Sequence, residues 1–217
     1  GSLTDKAAGR ISAGYNEDDG LLENDMGADA RMADDWALRG QLLLDPSEEL
    51  NILLKAQYAE EDGAPSGWSF DLPSFNPTDF YGYVDADGDP FTISSDYDFS
   101  QASEILNLYA KMVWDFGIYT LTSVTDYQDI EHSYTEDADA SPTDIYNYDQ
   151  SVDIDQFSQE LRINWEGESH RSVVGLYYLS IDGDFVTDQS GAAFFGDLIY
   201  RVNAYQETTT YAIFGQT

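Results

Sequence analysis

Four aspartates in the stretch "DADGDPFTISSD", Asp85, Asp87, Asp89 and Asp96, stand at positions 1, 3, 5 and 12 of a twelve-residue count. Calcium takes clustered hard carboxylate oxygens at such spacing, as in an EF-hand loop. The match is incomplete. Gly88 falls at position 4, Pro90 stands where the sharp turn calls for glycine, and Asp96 is a methylene shorter than the usual glutamate. A solvated acidic turn competes with the metal reading, and Ca²⁺ is the one cofactor the sequence suggests.

The same region carries Trp68, Phe70, Tyr81, Tyr83, Phe91 and Tyr97. These rings could stack on a sugar or aromatic ligand, or fold inward to give a long loop its own small core. Catalytic signals are weak. His132 and His170 fall at opposite ends of the expected fold, and there is no nucleophile elbow, phosphate loop or zinc-ligand spacing. The expectation is a protein that binds rather than an enzyme.

Composition narrows the class. A net charge of -33, from 9 Lys+Arg against 42 Asp+Glu, argues against nucleic acid as a partner, because a polyanion gains nothing from phosphate. Hydrophobic residues at 42% are too abundant for a disordered acidic tail, and cysteine is absent. The opening "GSLTDKAAGR" has no apolar leader segment, and no run approaches the roughly 18 apolar residues of a membrane helix. Membrane β-strands stay open, because about 10 alternating residues suffice for them.

Period-two alternation appears in eight stretches, predicted as strands near 6–15, 35–45, 50–60, 103–115, 118–128, 157–165, 171–180 and 207–217. In "FSQELRINWEG", for example, Phe157, Leu161, Ile163 and Trp165 share one face while Glu160 and Arg162 share the other. Connections alternate between tight turns and long loops at 16–34, 61–102, 129–156 and 181–206, which hold 29 of the 42 acidic residues. Compact soluble domains rarely carry several loops beyond about 15 residues, whereas outer-membrane barrels do. Along the apolar face, Tyr15, Trp36, Tyr58, Tyr127 and Phe157 adjoin the long loops, and Trp114, Tyr119 and Trp165 adjoin the short turns. Two such belts are expected at the two interfaces of a bilayer, with lipid as the partner between them.

The segments "ALRGQLLLDPSEELNILLKAQYAEEDG" (37–63), "FGIYTLTSVTDYQD" (116–129), "FSQELRINWEGESHRSVVGLYYLSIDGDF" (157–185) and "TTTYAIFGQT" (208–217) resemble the barrel of TonB-dependent outer-membrane receptors. That family builds barrels of roughly 22 strands around a plug. The resemblance implies an all-β fold, an antiparallel up-and-down membrane barrel segment of about eight strands. It also implies the outer membrane of a Gram-negative bacterium, with the long loops outside. The implied role is part of a receptor that imports a scarce ligand of siderophore, haem, cobalamin or oligosaccharide type. The remaining barrel and plug become partners, and the inner-membrane energy complex is reached only through those parts.

Two other readings stand beside it. One is a soluble secreted β-sandwich or adhesin-like module using Ca²⁺ in its acidic loops. The other is a structural protein that polymerises through open strand edges.

Overall fold

The computed structural model describes residues 1–30, 32–64, 78, 81–85 and 88–217. Chain order runs β1 (Ser2–Thr4), β2 (Ala7–Asp18), β3 (Glu23–Asn24), β4 (Met32–Ser47), β5 (Leu50–Ala64), β6 (Thr92–Ile93) and β7 (Ser100–Asp115). It continues with β8 (Tyr119–Asp137), β9 (Asn147–Glu166), β10 (Arg171–Ser190), the one-turn helix α1 (Ala192–Phe195) and β11 (Tyr200–Gln216). One antiparallel sheet takes the order β1-β2-β4-β5-β7-β8-β9-β10-β11. Eight long strands therefore follow one another up and down, as the alternation predicted, and the short β1 flanks them at one edge. The ends of this order are not paired to each other among the described residues, so the sheet is open rather than closed on itself.

The short connections obey turn chemistry. Between β7 and β8, Gly117 adopts φ +84°, and its amide donates to Asp115 Oδ1 at 2.8 Å. The Phe116 amide closes the same turn on the Tyr119 carbonyl at 2.7 Å. Between β9 and β10, the Gly167 amide donates to the His170 carbonyl at 2.9 Å.

At the other end the strands run past their expected limits. The stretches expected as loops 129–156 and 181–206 are mostly strand, leaving connections of only 138–146 and 191–199. The expected loops 16–34 and 61–102 are also trimmed at both ends, by β2, β4, β5 and β7. For 129–156 the cause is a reversal of phase. On β9, apolar Phe157, Leu161 and Ile163 share a face with Asp149, Asp153 and Asp155, while Val152 and Ile154 lie on the opposite face beside Glu160 and Arg162. On β10, Leu176 shares its face with Asp182 and Asp184, while Val173, Tyr177, Leu179, Ile181 and Phe185 form one continuous row on the other face. On β9 alternation persists but its sign inverts, and an inverted pattern reads as the end of a strand.

The buried core lies at the loop end. Leu22, Ala30, Ala64, Ile93 and Phe99 form it, with Met32 packed against them. A parallel bridge of β3 on β6 holds this cap together through Glu23↔Thr92 and Asn24↔Ile93. No second layer covers the Leu- and Ile-rich face of the main sheet among the described residues.

Candidate functional site

That face is an exposed apolar band. Ile11, Leu38, Leu54, Leu108, Leu161, Ile163, Leu176 and Ile213 all lie on it, and all remain substantially open to their surroundings, Leu54 at 39% and Ile213 at 81%. The aromatics bracket the band in register. Tyr119 pairs with Trp165 at the turn end, and Tyr127 pairs with Phe157 at the other end. Eight residues separate the two levels on each strand, about 26 Å along the chain.

The upper boundary moves in steps across the sheet. It runs through the paired Tyr15 and Trp36, then Tyr58 and Leu106, then Tyr127 and Phe157, then Tyr178 and Tyr211. Each step drops two residues toward the turns relative to the hydrogen-bonded ladder. Six residues, about 20 Å, are lost over seven strand spacings of roughly 4.8 Å each, so the strands tilt by about 30° from the normal to this boundary. Tilt reduces the band to about 23 Å in height, close to the roughly 25 Å apolar belt of a membrane barrel.

Directly above the boundary the same face turns acidic. Glu17, Asp34, Glu60, Glu104, Asp129 and Asp155 follow two residues beyond it on the first six long strands, and Asp182 and Glu207 follow four residues beyond it on the last two. The belt's polar tips reach up to this row. Tyr15 donates to Glu17 at 3.0 Å, Trp36 Nε1 to Glu60 at 3.2 Å, and the Tyr58 hydroxyl to Glu104 at 2.7 Å. Tyr127 donates to Asp155 at 2.6 Å. Rings with an apolar body below and a hydrogen-bonded head above suit an interface between hydrocarbon and water.

One polar patch interrupts the band and satisfies itself. Thr125 donates to Gln159 Oε1 at 2.6 Å, and Gln159 Nε2 donates to Ser123 Oγ at 3.0 Å. The opposite face carries the charged side chains that fall within the band, interleaved with apolar ones such as Leu43, Leu53, Val173 and Leu179. Arg39 donates to Gln57 at 2.7 Å, Asn107 donates to Asp126 at 3.0 Å, Lys55 sits 4.6 Å from the centre of the Tyr109 ring, and Arg162 lies 3.4 Å from Glu160.

At the loop end, the segment between β6 and β7 docks on the tops of β8 and β9. Ser95 is gripped by Asn24, whose Oδ1 accepts from the Ser95 amide at 3.1 Å and whose Nδ2 donates to the Ser95 carbonyl at 3.2 Å. Tyr97 donates to Asp149 Oδ2 at 2.9 Å. Burial, helped by that hydrogen bond, pushes the Tyr97 phenol up to about 12. Asp137, fully buried at the top of β8, receives the Asp139 and Ala140 amides on Oδ1, both at 3.0 Å. Burial pushes its carboxyl up to about 6.

The sequence candidates separate. Asp87, Trp68 and Phe70 lie outside the described residues. Asp89 accepts the Phe91 amide at 3.0 Å and Asp85 accepts the Gly88 amide at 3.4 Å, each within its own turn. Asp96 is pushed upward by burial and by the nearby Asp144 and Asp139 carboxylates, which belong to a different loop. Among the described residues no three His, Cys, Asp or Glu side chains form a group able to hold a metal ion. Tyr81 and Phe91 are exposed and Tyr83 is half-buried, whereas Tyr97 is committed to the cap. His132 lies within β8, contrary to its expected loop position, with its Nδ1 2.9 Å from Ser103 Oγ. Asp137 was not among the sequence candidates. The pattern "DADASPTD" at 137–144, where aspartate, serine and proline crowd a tight connection, is the signal that could have marked it.

No family model matches the sequence. The fold does match solved structures. The ferric yersiniabactin uptake receptor FyuA from Yersinia pestis aligns over 99% of this chain and 32% of its own, with TM-score 0.74 and 15% identity. A chain of the FpvAI–pyocin S2 complex aligns over 99% of this chain and 32% of its own, with TM-score 0.64 and 12% identity. This chain spans about a third of the length of each. At these identities the likeness is one of fold: a barrel-like run of antiparallel up-and-down strands like a segment of those two chains.

Proposed function

We propose that a chain with this barrel fold forms part of the wall of an outer-membrane receptor that takes up a scarce ligand. The observation that carries the reading is the exposed apolar band. It is about 23 Å high, bracketed by paired aromatics, and free of charged side chains, which within the band all fall on the opposite face. A soluble sandwich would have to bury that band against a second sheet, and the only apolar core among the described residues lies elsewhere. The likeness to a ferric yersiniabactin uptake receptor supports uptake as the activity. The ligand would meet the loop end first, where acidic side chains favour neutral or cationic ligands over free anions, and where exposed Tyr81 and Phe91 offer stacking surfaces.

The reading requires further strands. Beyond β10, β11 has no partner among the described residues, and each unmet backbone group costs several kcal/mol in lipid. Remaining receptor barrel and plug would supply the closure, and contact with an inner-membrane energy complex would come through those parts.

Two experiments test it. In vesicles of brominated lipid, with Trp68→Phe as background, Trp36, Trp114 and Trp165 should be quenched most by bromines placed near the headgroups. Absence of quenching would end the membrane reading. Deletion of the gene should remove growth on one member of a panel of ferric siderophores, haemin and cobalamin, and unchanged growth on all of them would end the uptake reading.

A further inference from the structure

Ser95 Oγ stands 2.7 Å from the Tyr97 carbonyl oxygen and 2.6 Å from Asp137 Oδ2. A serine hydroxyl carries one proton, and neither a carbonyl nor a carboxylate can supply another. Two such short oxygen contacts therefore need two protons, and the second can come only from Asp137. With Asp137 neutral, its Oδ2–H donates to Ser95 Oγ, the Ser95 hydroxyl donates to Tyr97, and Oδ1 keeps the two backbone amides of Asp139 and Ala140. Every group is then satisfied. Asn24 holds the Ser95 main chain on both its amide and its carbonyl, which keeps this residue beside Asp137.

We propose that Asp137 is a proton-binding site that latches residues 94–99 onto the tops of β8 and β9, closing the loop cap when the proton is bound and loosening it when the proton leaves. The surroundings agree. Asp139 follows on the same connection, with its oxygens taken by Ser141 Oγ at 2.6 Å and the Tyr146 amide at 2.8 Å. Asp144 accepts from Asn147, Asp149 on β9 accepts from Tyr97, and Asp96 and Asp98 come from the docked segment itself. Asp29 comes from the β3 loop, where it accepts the Asn24 amide. All of these titratable neighbours are acids. Asn147, directly across the ladder from Asp137, has its Oδ1 buried without a donor. The geometry does not depend on whether the apolar band meets lipid.

The sign follows from linkage. The closed state holds the proton up to a pH of about 6, whereas an opened Asp137 holds it only to its ordinary carboxyl range near 3.8. Closure is thus fully supported in acid and is lost as pH rises through the closed-state value. The opening equilibrium should grow by about a hundredfold in the limit, and by roughly 25-fold between pH 4.5 and 7.5.

Hydrogen exchange of the amides at 94–99, corrected for intrinsic rates and measured on the full chain in lipid, reads this directly. Protection should fall by tens of fold between pH 4.5 and 7.5. Asp137→Asn keeps a donor and an acceptor in the same places, so it should stay protected at both values. Equal protection of the unsubstituted chain at both pH values, or a pH dependence in Asp137→Asn matching it, would overturn the latch. Should that variant not fold, infrared spectra of the unsubstituted chain with labelled aspartate carry the test. A carboxylic-acid carbonyl band present at pH 5 and bleached by pH 8 supports the latch, and no such band refutes it.

Discussion

The Tyr127 hydroxyl donates to Asp155 Oδ1 at 2.6 Å across the β8–β9 ladder, with Phe157 paired directly opposite the tyrosine ring. One residue thus belongs to both layers. Its ring lies in the aromatic belt and its oxygen lies in the acidic row above it. Tyr127→Phe and Asp155→Asn should each lower the thermal midpoint in lipid. The double variant should be no worse than the poorer single one, as expected for two ends of one interaction. Additive losses in that cycle would show that the contact is not what anchors the belt.

Position within the band sets a sharper contrast. Leu54 and Lys55 are neighbours on β5 but face opposite ways. Leu54→Arg should destabilise the protein by about 2–4 kcal/mol in bilayers, the usual penalty for arginine on a lipid face near mid-depth. Lys55→Arg should be nearly silent. Denaturant titration in vesicles measures both.

Gly191 marks where the last two loops meet. It adopts φ +137°, and a Cβ there would stand 1.9 Å from the Ile145 carbonyl oxygen. Gly191→Ala should therefore pull the 191–199 connection away from 138–146, at a cost on the order of 1–3 kcal/mol from backbone strain alone. Faster proteolytic nicking confined to these two connections is the expected readout.

Much of the fold was legible because a strand's alternation is set by local chemistry. The eight strands, their order and the tight turns follow from the placement of Leu42, Leu54, Leu108 and Leu161 against Gln41, Lys55, Asn107 and Glu160. The upper halves of β8 and β9 were hidden because apolar and acidic residues exchange faces at Tyr127 and Phe157. A reader following one phase stops at that exchange. The cap was less legible still. Asn24, Ser95 and Asp137 are far apart in sequence, and only the docking of the loops brings them together. The aspartates at 85–96 match a calcium-loop spacing. Asp87, on which that motif also depends, lies outside the described residues.

Acid should act on the far end of the sheet with the opposite sign to the cap. Arg201 forms a two-pronged ion pair with Asp188 across β10 and β11, and its guanidinium holds that carboxyl below its ordinary range. A depressed carboxyl contributes stability above its unfolded value and loses it as pH falls through the folded one. The tops of β10 and β11 should therefore fray in strong acid, and Arg201→Ala should remove that acid sensitivity. Amide exchange at 186–189 and 200–203 distinguishes the two cases.

The central claim is that the apolar face meets lipid, and nitroxide labels test it most directly. Labels at Leu42, Leu54, Leu108 and Leu161 should be relaxed by membrane-dissolved oxygen and shielded from a water-soluble nickel chelate. Labels at Gln41, Lys55, Asn107 and Glu160 should show the reverse, giving a period of two along each strand. Leucine positions as open to the chelate as their neighbours would contradict the membrane wall.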